Sequence, residues 1–300
     1  MAGAALIANP FATGVTERKL AEVQAALEPL GEIETLLTQH RGHASELARD
    51  ACAAGRDTLF VFSGDGTSNE VLNGLEPGAD VALGFIPGGG TSVLPRALGL
   101  PRDALAAARQ LREAVGESRT RRISLGRVNG RRFAFNAGVG FDAEAVRRFD
   151  ALGRRDGGQR PGDVRFGLTV AGMLWDHRFR FEPAAELVGA GPVALALASN
   201  CDVFTYAGGR ALRIAPDARF ELGLDVVAVR AIEPSSVPGL ALSVLRGRQP
   251  RDDDVHVLHD ADRAELRCFR PLPLQVDGED LGDVEHVLFE SERDAVTVLV

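Results

Sequence analysis

The sequence predicts an α/β domain built on a parallel sheet, followed by a domain of mainly antiparallel strands. Two observations carry this expectation. Through the first third, short apolar runs alternate with helical patterns, the signature of a parallel sheet covered by helices. Beyond Arg119 strand-like runs dominate, and they open with Asn129-Gly130, the strongest two-residue hairpin signal. The expected division is residues 1–120, completed by a last strand over 294–300, and residues 121–293.

The first strand is Ala4–Ala8, a short fully apolar run. A helix is expected over Glu17–Leu30, because Leu20, Val23, Ala26, Leu27 and Leu30 share one face and Thr16 stands as an N-cap. Strand Ile33–Leu37 and helix His43–Ala54 follow, with Gly55 as the stop. Strand Thr58–Phe62 leads to a short helix near Ser68–Leu75. Strand Ala82–Ile86 and helix Asp103–Val115 complete the alternation. In the second part a hairpin joins Ile123–Val128 to Arg131–Ala137. Strands are then expected at Val193–Ser199, Leu224–Ala231, Val255–His259, Ala264–Cys268, Leu274–Val276, Val287–Glu290 and Ala295–Val300. Helices are expected at Asp142–Phe149, Val164–Leu174 and Ser236–Arg246. The glycine- and arginine-rich stretch Asp150–Asp163 reads as a mobile loop.

Composition narrows the function. The 300 residues carry a net charge of −8, which argues against a general nucleic-acid binder. The three cysteines, Cys52, Cys201 and Cys268, have neither disulfide nor metal-ligand spacing and read as reduced packing residues. No stretch reaches the roughly 20 apolar residues of a membrane span, and no export signal is visible. A cytoplasmic chain is expected, with any membrane contact peripheral. Lys19 is the single lysine, so neither a Walker loop nor a protein-kinase strand lysine is available.

Three loops fall at carboxyl ends of the parallel strands, where ligands bind in such sheets. Ser63-Gly64-Asp65-Gly66-Thr67-Ser68-Asn69-Glu70 leaves an apolar strand and enters a helix. Its glycines permit close approach of backbone N–H groups to an anion, and the helix N-terminus adds partial positive charge. Asp65 would repel a bare phosphate and makes sense beside a Mg²⁺ ion. The alternative is an ordinary strand–helix turn. Gly88-Gly89-Gly90-Thr91 follows the next strand, where three side-chain-free residues let something approach the backbone. Asn9-Pro10-Phe11-Ala12-Thr13-Gly14 ends the first strand and completes a phosphate cradle.

At these loops the chain resembles the diacylglycerol kinase catalytic-domain family, which includes bacterial lipid kinases and sphingosine kinases. The resemblance runs from Asn9-Pro10 and Gly14 through Gly42-His43-Ala44, Gly64–Val71, Pro87–Thr91 and Arg96–Pro101. It resumes at Asn136–Ala143, Ala215-Pro216-Asp217-Ala218 and Val276-Asp277-Gly278-Glu279. It implies an N-terminal Rossmann-like domain, similar to phosphofructokinases and NAD kinases, that holds ATP. It also implies a C-terminal antiparallel β-sandwich that receives the lipid. Asn9, Pro10, Thr13, Gly14, Thr38, Gly64 to Glu70, and Gly88 to Thr91 match ATP-contacting positions. Glu279 matches the base that takes the proton from the lipid hydroxyl, and Asp65 and Asp217 match carboxylates tied to Mg²⁺. Read by itself, without the resemblance, Asp277-Gly278-Glu279 is a polar hairpin turn before it is a catalytic one.

Some positions depart from the family pattern. Ser63 replaces a glycine. Ser92-Val93 replaces Asn or Asn-Asp, and Leu222-Gly223 replaces Asp-Gly, which puts an auxiliary metal site in question. The implied activity is transfer of a phosphoryl group from Mg-ATP to a membrane lipid, diacylglycerol by default, at the inner face of the membrane. A soluble-substrate kinase of NAD-kinase type stays open, as does a nucleotide- or lipid-binding protein with little catalysis. Oligomeric state is open too, a homodimer included. Residues 147–180 are expected to face the membrane, because Arg147, Arg148, Arg154, Arg155, Arg160, Arg165, Arg178 and Arg180 outnumber their acids and Trp175 stands nearby.

Overall fold

The computed structural model describes residues 3–155, 163–207, 209–250 and 254–300. Two compact units emerge, one of residues 1–124 with 294–300, the other of residues 125–293.

The first unit is an alternating α/β layer structure. Its elements are β1 (Ala4–Ala8), α1 (Glu17–Leu27), β2 (Ile33–Leu37), α2 (His43–Ala53), β3 (Thr58–Ser63), α3 (Asp65–Gly74), β4 (Ala82–Pro87), α4 (Val93–Ala97) and α5 (Ala104–Gly116). The strands lie in the order β2–β1–β3–β4, all parallel. The chain leaves this unit within β5 (Thr120–Val128) and returns at the end of its last strand, where Thr297 and Val298 pair in parallel with Ala82 and Leu83 of β4. Both faces of β1 and β3 are covered, which is why these strands are apolar throughout rather than alternating. Phe60 and Phe62 pack with Leu27, Ala107, Ala108 and Leu111 in one core. Burying such a side chain contributes about 1.5–3 kcal/mol.

The second unit begins with the hairpin of β5 and β6 (Arg131–Phe133), turned by Asn129 and Gly130, both at positive φ. After it come β7 (Asn136–Gly140), α6 (Phe141–Arg155), α7 (Asp163–Asp176), β8 (Ala185–Leu187), β9 (Gly191–Val193), β10 (Leu195–Ser199), β11 (Thr205–Ala207), β12 (Arg210–Leu212), β13 (Leu224–Val229), α8 (Val237–Arg246), β14 (Val255–Ala261), β15 (Arg263–Val276) and β16 (Glu279–Leu299). Strands β14–β13–β10–β7–β15–β16 form an antiparallel sheet. The fold class is therefore α/β plus antiparallel β.

Several expected boundaries move. Helix α3 starts at Asp65, not near Ser68, because the N–H groups of a first turn have no intrahelical acceptor to lose and the turn tolerates Gly66. Helix α6 runs on to Arg155, so Asp150–Arg155 is helical rather than loop. Arg160 lies outside the described residues, as do the side chains of Arg154 and Arg155. The expected strands Ala264–Cys268 and Leu274–Val276 are one strand, bent where the register shifts between Arg267 and Leu272. Helix α4 and the short strands β8, β11 and β12 carry too few residues to show a period.

Candidate active site

The three glycine-bearing loops meet at the carboxyl ends of β1, β3 and β4. Gly14 N–H donates to the Gly88 carbonyl at 2.8 Å, and Gly88 N–H to the Ser63 carbonyl at 2.8 Å. A Cβ on Gly14 would stand 2.7 Å from the Gly88 oxygen, and one on Gly89 would stand 2.8 Å from Gly64 Cα. Those contacts are shorter than real Cβ atoms make, so these glycines are first required for loop-on-loop packing. Asn9 joins the set. Its Nδ2 donates to Thr67 Oγ1 at 2.8 Å, and its Oδ1 accepts from Phe11 N–H at 2.9 Å.

The helix termini around this cradle are capped unequally. Helices α1 and α5 are capped by their own Thr16 and Asp103. Helices α2 and α4 lack a side-chain cap of their own and borrow one from α3. Glu70 accepts from the backbone N–H groups of Gly42 (2.8 Å) and Ala44 (3.3 Å) at the start of α2. Asp65 accepts from Val93 (2.9 Å) and Leu94 (3.0 Å) at the start of α4. Helix α3 begins at Gly64 with no side-chain cap. Gly64 brings no side-chain oxygen to the first turn, whose own acid, Asp65, reaches to α4 instead. Gly89 N–H donates to Ser92 Oγ at 3.1 Å, and Ser92 sits in the left-handed region at φ 49°. Such a conformation suits Asn better than Ser, which accounts for the Asn expected there.

This arrangement engages two of the expected side chains in helix capping. Both Glu70 oxygens cap α2, and its carbonyl accepts from Ser45 Oγ at 2.6 Å. The Asp65 carboxylate is likewise engaged on backbone N–H groups, and ties the second loop to the third. Thr38, buried beside the end of β1, donates its N–H to the Ala8 carbonyl. Thr13 and Pro10 are exposed, Thr91 is half-buried, and Ser68 and Asn69 are buried on α3.

In the second unit the Asp277-Gly278 pair turns β15 into β16, with φ 48° and 77° and Val276 opposite Glu279. The Asp277 side chain is buried. Its carboxylate accepts from three successive backbone N–H groups, Ala134 (2.7 Å), Phe135 (3.0 Å) and Asn136 (3.2 Å). Gln275 braces the same turn. Its Oε1 accepts from Gly278 N–H at 2.9 Å, while its Nε2 donates to Asn136 Oδ1 (2.9 Å) and Asp142 Oδ2 (2.7 Å). Gly138 makes room for that last contact, since a Cβ there would meet Asp142 Oδ2 at 2.2 Å. Burial pushes the Asp142 carboxyl up to about 6, against the lowering effect of the Gln275 amide. Glu279 emerges at the end of this braced turn, with Arg131 Nη2 4.0 Å away. The sequence singled out Glu279 but missed Asp277, Gln275 and Asp142, which hold it. The motif around Asn136–Ala143 was the available signal.

Asp217 is exposed, and its charge acts on Asp225. Burial raises the Asp225 carboxyl most, and Asp217 adds to that rise; Asp260 N–H and His259 oppose it. One oxygen, Oδ1, accepts from Asp260 N–H at 3.1 Å and lies 2.8 Å from His259 Nδ1. The other, Oδ2, is buried with no hydrogen-bond partner among the described residues. A buried, undonated carboxylate oxygen beside a second carboxylate fits a hard cation. Among the described residues His40, His43 and Glu46 also gather their ligand atoms within 4.8 Å, but His43 Nδ1 already accepts from Gln39 N–H. A cavity of about 460 Å³ in the second unit is lined by Phe141, Arg148, His177, Arg180, Phe181 and Arg270, none of them an expected chemical residue.

Residues 3–128 match the family model described as the diacylglycerol kinase catalytic domain. The chain is 30% identical over 285 residues to a diacylglycerol kinase of Bacillus subtilis (strain 168), covering 93% of this chain and 90% of that one. Its fold is similar to a diacylglycerol kinase structure from Bacillus anthracis str. Sterne, with TM-score 0.70, 19% identity and coverage of 99% and 96%. It is also similar in fold to an NAD kinase from Archaeoglobus fulgidus solved with ATP, with TM-score 0.55, 11% identity and coverage of 99% and 93%. The fold similarities place the architecture, and the full-length sequence identity places the lineage: this chain belongs to the diacylglycerol kinase family of lipid kinases.

Proposed function

We propose that this chain transfers the γ-phosphoryl group of Mg-ATP to the free hydroxyl of diacylglycerol, giving phosphatidic acid. The observation that carries the reading is the uncapped start of α3, set among interlocked glycine loops while its own acids cap the neighbouring helices. Asn9, Pro10, Thr13, Gly14, Thr38, Gly64 to Glu70, and Gly88 to Thr91 form the ATP-binding set, Asp65 and Glu70 also capping the neighbouring helices. Backbone N–H groups and the Thr67 hydroxyl replace the absent lysine at the phosphates.

Glu279 is the general base. The lipid hydroxyl oxygen bonds to the γ-phosphorus as the bond to the β–γ bridging oxygen breaks and ADP leaves. The hydroxyl proton passes to the Glu279 carboxylate. The Asp277 anchor and the Gln275 brace keep that carboxylate from drifting, which matters because misplacement by about 1 Å costs about 10²-fold. Mg²⁺, when bound, neutralises charge on the phosphates. Asp217, with Asp225 behind it, is the better-fitting pair for a divalent ion. Asp65 acts first as the tie between loops.

The test is mass spectrometry of lipid products after incubation with Mg-ATP and diacylglycerol in detergent micelles, with NAD in a parallel arm. Phosphatidic acid is the expected product. Phosphorylated NAD without lipid product would assign the soluble-substrate activity, and neither product would leave a binding protein.

A further inference from the structure

Two helices of the second unit turn their apolar sides outward. On α7 the exposed stripe is Leu168, Ala171, Gly172 and Trp175, spaced i, i+3, i+4, i+7. On α8 the same spacing picks out Pro238, Ala241, Leu242 and Leu245, all exposed. Leu168 and Trp175 are 66% and 74% exposed, and Leu242 and Leu245 are 45% and 51% exposed. A surface helix normally buries such a stripe and presents charge to water. Helix α7 keeps Met173 buried on its other side, whereas α8 has no buried residue at all and no acid within its span. The two helices share a neighbour. Helix α7 packs against β11, and Arg210 of β12 donates to the Leu245 carbonyl of α8 at 2.5 Å, so the β11–β12 hairpin joins them.

The charges beside the stripes are basic. Arg165, Arg178 and Arg180 flank α7, and Arg210, Arg246 and Arg248 flank α8, all exposed. Asp176, the acid at the end of α7, is paired with Arg148 at 2.8 Å. The basic fringe stands out in a chain of net charge −8. A self-complementary dimer through this face would set one arginine fringe against its twin. An anionic leaflet satisfies both features, since apolar side chains dip to the acyl boundary while arginines stay among the headgroups.

We propose that α7, the β11–β12 hairpin and α8 form a two-helix dock for an anionic lipid bilayer, with Trp175 and Leu168 as one anchor and Leu242 and Leu245 as the other. The proposal rests on the lipid-kinase reading, since the dock brings the second unit to a substrate still seated in its leaflet. It adds α8, on which neither the family motifs nor the arginine-rich segment drew.

Trp175 is the single tryptophan, so its emission reports this surface directly. The probe is vesicles of phosphatidylcholine with and without phosphatidylglycerol. Anionic vesicles should shift Trp175 emission to the blue and sediment the protein, less so at high salt. Leu242→Glu with Leu245→Glu should weaken sedimentation about tenfold or more, and Leu168→Glu should do the same. These side chains are exposed, and circular dichroism checks that the variants fold. Unchanged vesicle binding in the α8 pair overturns the two-helix dock. Loss of a concentration-dependent dimer in vesicle-free sedimentation, with vesicle binding intact, would assign the face to a second copy and also overturn it. Phosphorylation of diacylglycerol in detergent micelles should be unaffected by these variants. A wild-type chain inactive in micelles counts against the proposed reaction alone, because the vesicle readout does not depend on turnover.

Discussion

Two regions of the molecule, the α3 start in the first unit and the Asp277 turn in the second, are built with the same device to different effect. In each, one aspartate spends both oxygens on backbone N–H groups of a distant segment. Asp65 takes those of Val93 and Leu94, and Asp277 takes those of Ala134, Phe135 and Asn136. In the first unit this engages acids on neighbouring helices and leaves the α3 terminus without a side-chain cap. In the second it immobilises a turn so that one side chain, Glu279, stands at a set place. A phosphate site needs many weak fixed dipoles, whereas a base needs one carboxylate that cannot wander.

The largest expected effect tests the second region. Glu279→Gln should lower phosphoryl transfer by roughly 10²–10⁴, the usual contribution of a general base, with ATP affinity little changed. Lipid phosphorylation within a few-fold of wild type would remove Glu279 from that role. Next in size, Asp277→Ala strands three buried N–H donors and should cost about 3–4 kcal/mol in denaturant unfolding, with turnover falling through the loosened turn. An unchanged unfolding midpoint would show that those donors find other partners.

Asp142 distinguishes bracing from chemistry through pH. Its folded-state pKa, about 6, lies above the ordinary 3.8. The folded chain therefore binds this proton more tightly than the unfolded one. Stability from this group is highest below about pH 4 and falls as pH rises to about 6, by up to about 3 kcal/mol. Asp142→Asn keeps an acceptor for Gln275 and should flatten that slope, raising stability at neutral pH. A slope that survives the substitution assigns it to another group. The smallest effect belongs to the first region. Asp65→Asn replaces one acceptor with a donor facing an N–H group and should cost about 1–2 kcal/mol of stability. If turnover vanishes while the unfolding midpoint stays put, Asp65 acts on the nucleotide or its metal rather than on α4.

Legibility followed the range of the interaction. The alternation of β1 to α5 was plain because apolar runs and caps such as Thr16 and Asp103 act within one turn. The glycine loops were plain as well, since a glycine run after an apolar strand has few other causes. The extent of α6 is not legible because its glycine and arginines look like loop, although a helix accommodates Gly153 at a modest cost. The capping role of Glu70 was not legible because its partners, Gly42 and Ala44, lie more than 25 residues away.

By itself the sequence settled the fold class, the place of the three loops at strand ends, and the Asp-Gly turn before Glu279. Each follows from local periodicity or from the backbone freedom of glycine. Tertiary structure alone decided which carboxylates are held by backbone amides. Asp65 and Glu70 read as candidate ligands along the chain and Asp277 as part of a turn, yet each is engaged by amides brought from afar, while Asp225, an unremarked residue of a strand, keeps a buried oxygen without a donor among the described residues. A carboxylate's role depends on what desolvates it and which donors reach it, and both are fixed only when distant segments pack.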